Sequence, residues 1–235
     1  MFQTTEGILI KKTKLSGNRF ILKLYTKDFG IKSFFARKSK KEKSVFQSFS
    51  ILSISSYNNS KNSIQNIKES FISVPFVSIY TNIYKSNIIL FINEVLNNIL
   101  KEEEENEELY NFIKISLIKF DKEELNINFH LIFLMQLTQF LGIEPFPEGE
   151  ELTEGFYDFE EGHLVSIKPL HSNYLTVLET NNFRNLYYYS FSISTEFSIS
   201  NTKRKEIINS LIKYYQYHTD MRNIKSLGVL EVVFG

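Results

Sequence analysis

Cysteine is absent from all 235 residues. That excludes disulfides, thiolate catalysis and cysteine-ligated zinc, and it fits a reducing compartment. Long apolar runs are missing too. Stretches such as Ile88–Ile92 fall far short of the roughly 20 residues that a helix needs to cross a bilayer. The opening MFQTTEGILIKK has no basic leader followed by an apolar segment, so no signal peptide is expected. Motifs of catalysis are equally scarce. There is no G-x-x-x-x-G-K-[ST] phosphate loop and no G-x-S-x-G elbow. The four histidines, His130, His163, His171 and His218, have no partnered nucleophile. These absences point to a cytoplasmic protein that is not an enzyme and uses no cofactor.

What is present is an ordinary folded composition, 43% hydrophobic and 23% charged, on a chain long enough for two or three small domains. The net charge of zero hides an asymmetry. Residues 1–80 hold 14 Lys/Arg against 4 Asp/Glu, a balance of +10; the remaining 13 against 23 give −10. A basic module joined to an acidic remainder suggests a polyanionic partner for the first part.

The basic part reads as short strands. Gly7–Lys14 alternates loosely, and Ser16-Gly17-Asn18 is a turn signal. In Arg19–Thr26, Phe20, Leu22 and Leu24 share one face, while Arg19, Lys23 and Tyr25 share the other with Ile21. Asp28-Phe29-Gly30 turns the chain into a third strand, Ile31–Arg37. Ser50–Tyr57 and Ile64–Ile72 are the fourth and fifth. Five short strands in about 75 residues suggest a small barrel of the OB type, which binds single strands with basic groups and stacking aromatics. Lys23 with Tyr25, and Lys32 with Phe34, have that chemistry. Each aromatic fits barrel packing equally well, and the pattern does not separate the two roles. Arg37–Lys43 carries five basic residues in seven and no apolar one, so phosphate contact is its natural use. The DNA-binding candidates are Lys11, Lys12, Lys14, Arg19, Lys23, Tyr25, Lys32, Phe34, Arg37, Lys38, Lys40, Lys41 and Lys43.

Beyond Pro75 the pattern turns helical. Ile79–Leu100, Leu109–Phe120 and Phe129–Leu141 carry apolar residues at helical spacing, with Asn126 or Asn128 as the cap of the third. The acidic run between the first two reads as a solvated helix end. Glu148–Lys168 is rich in Gly and acids. Asp158, Glu160, Glu161, His163 and His171 lie close in sequence without metal-ligand spacing, so a small hairpin packed by aromatics is expected there. Pro169–Leu178 and Phe183–Ile193 are ambiguous between helix and strand, and the Tyr187-Tyr188-Tyr189 cluster reads as core. Lys203–Tyr217 is an amphipathic helix. Its opening Lys203-Arg204-Lys205 sits at the wrong end for the helix dipole, which fits a solvated face or an acidic partner.

Thr5-Glu6-Gly7-Ile8-Leu9, Leu24-Tyr25-Thr26, Gly30-Ile31-Lys32-Ser33-Phe34 and the basic loop closing on Lys43-Ser44 resemble, in order and spacing, the RecO family of bacterial DNA repair proteins. Leu141-Gly142-Ile143-Glu144-Pro145, Tyr214-Tyr215-Gln216-Tyr217-His218 and Lys225–Leu230 extend the resemblance along the chain; it is weakest over residues 150–200. Many members carry four zinc-binding cysteines near a segment like Phe156–Phe159; this chain lacks all four.

The resemblance implies an α+β protein. Residues 1–78 would form a five-stranded OB-fold that binds DNA, residues 79–144 and 170–235 a helical domain, and residues 145–169 a small inserted zinc-less hairpin region. It places the family's basic loop on Arg37, Lys40, Lys41 and Lys43. The implied function is a recombination mediator that binds single- and double-stranded DNA and anneals complementary strands. It would also help load RecA onto DNA coated by single-strand-binding protein. The implied partners are RecR, the acidic C-terminal tail of single-strand-binding protein and, as a further candidate, RecF, in the nucleoid-associated cytoplasm. Two other readings stand beside it: a protein-interaction adaptor of the same pathway with weak DNA binding, and an RNA-binding OB-fold protein.

Overall fold

The computed structural model describes residues 2–37, 46–57, 64–101, 105–146, 154–192 and 197–234. They divide into two compact units, Met1–Leu125 and Asn126–Gly235.

In the first unit β1 (Phe2–Lys14), β2 (Arg19–Thr26), β3 (Gly30–Arg37), β4 (Ile51–Tyr57) and β5 (Ile64–Val74) close a barrel in the order β1-β2-β3-β5-β4. Antiparallel β1–β4 pairing from Phe2↔Tyr57 to Ile8↔Ile51 shuts one side. A parallel seam of three residue pairs between β3 and β5 shuts the other. This is the OB-fold expected from strand count and spacing. Period-two alternation fills it: Leu9, Phe20, Leu22, Leu24, Phe34, Ala36, Leu52 and Ile54 form the core, with Phe46 beside them. Gly7 sits where strands approach closely; a Cβ there would meet Leu24 Cδ2 at 3.0 Å and Thr26 Cγ2 at 3.2 Å.

Among the described residues this unit also holds the helices α1 (Ser78–Thr81), α2 (Ile83–Ile99) and α3 (Glu107–Lys122). The sequence-based boundary at residue 78 therefore falls inside the first compact unit, because α2 and α3 pack on the barrel. Two side-chain clusters explain this. Glu6 on β1 accepts hydrogen bonds from Tyr110 Oη at 2.9 Å and Lys114 Nζ at 2.5 Å, both on α3, and from Ser73 Oγ on β5. Burial pushes this carboxyl upward, but the bonds from Lys114, Ser73 and Tyr110 outweigh it and hold Glu6 below the usual carboxylate range. At the far end of α3, Asp121 accepts from the Val77 and Ile79 amides at 3.1 and 2.8 Å, which satisfies free N–H groups where α1 begins. Lys85 on α2 makes the reciprocal tie. Its Nζ donates to the carbonyls of Phe120 at 2.7 Å and Glu123 at 2.6 Å and to Ser78 Oγ at 2.8 Å, a cation on the carbonyl end of a helix.

The second unit holds α4 (Phe129–Phe140), β6 (Phe156–Asp158), β7 (His163–Val165), β8 (Tyr174–Leu175), α5 (Val177–Phe191), α6 (Asn201–His218) and α7 (Ser226–Phe234). The expected hairpin is β6–β7, widened to a three-stranded sheet by β8. It is packed by aromatics as anticipated: Tyr157 meets Phe146 edge-on at 5.2 Å and Phe159 meets Tyr214 at 5.6 Å. Of the ambiguous stretches Pro169–Leu178 and Phe183–Ile193, the first supplies β8 and the start of α5, and the second continues α5 to Phe191. Thr176 accepts from the Glu179 amide while the Glu179 carboxylate accepts from the Thr176 amide at 2.8 Å, a capping box written as T-x-x-E. Asn128 precedes α4 without a side-chain cap bond. Its amide donates to Phe197 O and accepts from Arg204 Nε, both at 2.7 Å. Arg204, only 5% exposed, also donates to Asn201 Oδ1 at 2.6 Å, and Lys205 pairs with Glu231 at 3.4 Å. The cations at the start of α6 are thus partly internal ties, not only a solvated face.

Replacing the buried Lys85 by Met leaves the Phe120 and Glu123 carbonyls without their donor. The expected cost is about 3 kcal/mol of unfolding free energy in urea titration. A loss under about 0.5 kcal/mol would mean that Lys85 does not hold α2 to α3.

Candidate nucleic-acid interface

Cross-strand register organises the outer surface of the β2–β3 hairpin. Arg19 lies opposite Arg37, Ile21 opposite Phe35, Lys23 opposite Ser33 and Tyr25 opposite Ile31. Side chains alternate along a strand, so Arg19, Ile21, Lys23 and Tyr25 point away from the core on one face. That face is covered at one end and open at the other.

The covered end carries Lys23 and Tyr25. Lys23 Nζ reaches the carbonyls of Asn97 and Leu100, both at 3.4 Å, and Asn97 Oδ1 at 3.3 Å; these groups form the carbonyl end of α2, where a cation belongs. Burial, followed by the nearby Lys11 and Lys101, lowers its affinity for a proton. Tyr25 is 3% exposed. Its ring lies 6.2 Å from that of Tyr110, and its hydroxyl donates to Asn106 O at 3.4 Å. Phe34 points the other way, into the barrel, and is 2% exposed. For both aromatics the structure favours the packing role: neither presents an open ring face on which a base could lie.

The open end carries Arg19, Phe35 and Arg37. With Asn66, Lys68 and Glu69 of β5 they line a groove of about 660 Å³ along the β3–β5 seam. Phe35, opposite Asn66 across that seam, is 37% exposed. Arg19 donates to Ser16 Oγ at 2.7 Å. Among the described residues neither Arg19 nor Arg37 forms a salt bridge. Alternation alone could have singled out Phe35: it shares its face with Arg37, whereas Phe34 shares its face with Ala36 and the core.

The remaining candidates scatter. Lys11 and Lys14 are exposed on β1. Lys12 donates to Phe46 O at 2.7 Å and lies 5.5 Å from the Phe20 ring centre. Lys32 is half-buried. Lys38, Lys40, Lys41 and Lys43 lie outside the described residues. In the β6–β7 region His171 Nε2 meets Asp158 Oδ2 at 3.2 Å, but among the described residues no group of three or more His, Asp or Glu side chains is placed to hold a metal ion. No helix among the described residues is long and apolar enough to cross a membrane.

A closed OB-type barrel that carries its own helices, followed by a helical unit with a small inserted sheet, defines the class of protein. The family model described as recombination protein O N terminal matches residues 1–76, and that described as recombination protein O C terminal matches residues 80–228. The chain belongs to the recombination protein O family. Among its relatives, the DNA repair protein RecO of Flavobacterium psychrophilum is 34% identical over 98% of both chains. The protein of that name from Flavobacterium johnsoniae is 32% identical over 98% of both, and that from Azobacteroides pseudotrichonymphae is 30% identical over the whole of both.

If Tyr25 and Phe34 pack against protein, Tyr25→Ala and Phe34→Ala should each remove about 3 kcal/mol of unfolding free energy. DNA affinity, measured well below the melting point, should stay within about twofold, since neither packed ring supplies the roughly 1–3 kcal/mol per base that stacking contributes. Weakened DNA binding with unchanged stability would instead assign the rings to the ligand.

Proposed function

We propose that this protein acts in DNA repair and recombination as a mediator that binds single- and double-stranded DNA through its barrel and anneals complementary strands. It would also help load the RecA recombinase onto DNA coated by single-strand-binding protein. Membership of the recombination protein O family supports the repair and recombination role. The observation that carries the DNA-binding part is the open end of the β2–β3 face, where Arg19 and Arg37 stand together and Arg37 leads directly into the lysine-rich run Lys38–Lys43.

Annealing by such a surface needs no nucleotide. Two phosphate backbones repel each other, and cations that neutralise both lower that repulsion and release condensed counterions. Lys11 and Lys14, exposed on β1, are further cations available to the second strand, and Lys38, Lys40, Lys41 and Lys43 add positive charge in the sequence directly after Arg37. Lys23 serves the barrel–helix contact instead. RecR, RecF and the acidic tail of single-strand-binding protein are the proposed partners in the cytoplasm.

Electrostatic binding sets a measurable slope. Replacing Arg37, Lys40, Lys41 and Lys43 together by Ala should reduce the slope of log affinity against log salt by about 3, at ~0.7–0.9 for each phosphate no longer neutralised. Fluorescence anisotropy with a labelled oligonucleotide measures this, and an unchanged slope would remove the basic run from the interface.

A further inference from the structure

We infer that the groove along the β3–β5 seam is a base-stacking site, which receives one unstacked base of a single strand on the ring of Phe35 while adjoining phosphates meet Arg19 and Arg37. The inference rests on the DNA-binding reading above and goes further: it names the contact that distinguishes a single strand from a duplex.

Three features carry it. The first is the ring itself. Phe35 is 37% exposed on the outer face of the barrel, flanked in register by Ile21 on β2 and Asn66 on β5. The same face one step along is buried under α2 and α3, so among the described residues Phe35 is the aromatic of this hairpin face that stays partly exposed.

The second is charge. Arg19 and Arg37 stand directly opposite each other across the two strands. Like charges so placed destabilise a sheet, and an anion between them turns that repulsion into attraction. Among the described residues no carboxylate forms a salt bridge with either. Glu69 lines the same groove, but Lys68 lies 4.0 Å from it. Among the described lining residues three cations against one carboxylate leave the groove positive.

The third is shape. A groove of about 660 Å³ falls within the ordinary range for small-ligand sites, about 300–1,000 Å³, and accommodates a nucleobase with its sugar. Asn66 at its wall presents an amide that donates to and accepts from any base edge. Phe35 offers only a π-face, which all four bases match, so the site reads strandedness and not sequence. Bases in a duplex are stacked on each other and offer no free face. Duplex DNA would therefore use the arginines and leave the ring bare.

The chain contains no tryptophan, so Phe35→Trp places one indole reporter in the groove of the full-length protein. Titration with an oligothymidylate about 16 nucleotides long, near the upper site size for one OB-fold, should quench the indole emission with the midpoint seen by anisotropy. A duplex of the same length should bind with little quenching. In parallel, Phe35→Leu keeps an apolar side chain without a π-face. It should weaken single-strand binding about tenfold, as expected for removal of one stack, and leave duplex binding and melting temperature unchanged. If both variants bind the single strand as the parent does and the indole is not quenched, the stacking site is overturned and the DNA-binding reading survives. If the parent protein binds neither strand, both fall. If the Trp variant does not fold, the Leu variant decides alone: unchanged single-strand affinity overturns the inference.

Discussion

One partly buried carboxylate sets the geometry on which the rest of the first unit depends. Glu6 sits on β1 and gathers the hydroxyl of Tyr110 and the ammonium of Lys114 from α3 and the hydroxyl of Ser73 from β5. Taking a carboxylate out of water is costly unless such partners surround it, so the cluster is tolerated only with α3 lying on the barrel. With α3 in place, Tyr110 covers Tyr25, and the carbonyl end of α2 reaches Lys23. The Lys85 and Asp121 exchange closes the far end of the same helices.

The consequence for function is a partition of one strand face. Lys23 and Tyr25 have the composition of a DNA-contacting pair, a cation beside an aromatic two residues on. The helices use both. Beyond that cover, earlier on β2, Arg19 forms the open end with Arg37 and Phe35. A basic, aromatic pattern on an OB-fold strand thus divides in two: it anchors the helices at one end, and at the other it leaves Arg19 and Arg37 beside the partly exposed Phe35.

Much of this architecture was legible in the residues. The limits of β2 follow from clean alternation bounded by turn signals, and the barrel from five such strands at close spacing. Which outward residues the helices cover was not legible, because alternation reports two faces of a strand and not what lies over each. For that reason alternation leaves Tyr25 and Phe34 open between stacking and packing, while the phase that Phe35 shares with Arg37 marks its face but not its exposure. The helix 177–191 was ambiguous because its three tyrosines suit a strand as well, yet Thr176-x-x-Glu179 carried the capping signal. Arg204 looked like a surface charge at an awkward helix end. Only tertiary contact with Asn128, 76 residues away in sequence, accounts for its burial.

The central claim is that DNA meets the open end of the β2–β3 face and not the helix-covered end. Backbone hydrogen exchange of the full-length protein with and without a single-stranded oligonucleotide tests it directly. Exchange should slow at Arg19, Phe35–Arg37 and Asn66–Ser70, with Lys23–Thr26 and the facing ends of α2 and α3 unchanged. Protection confined to Lys23–Thr26, or accelerated exchange in α2 and α3 as they lift away, would contradict it.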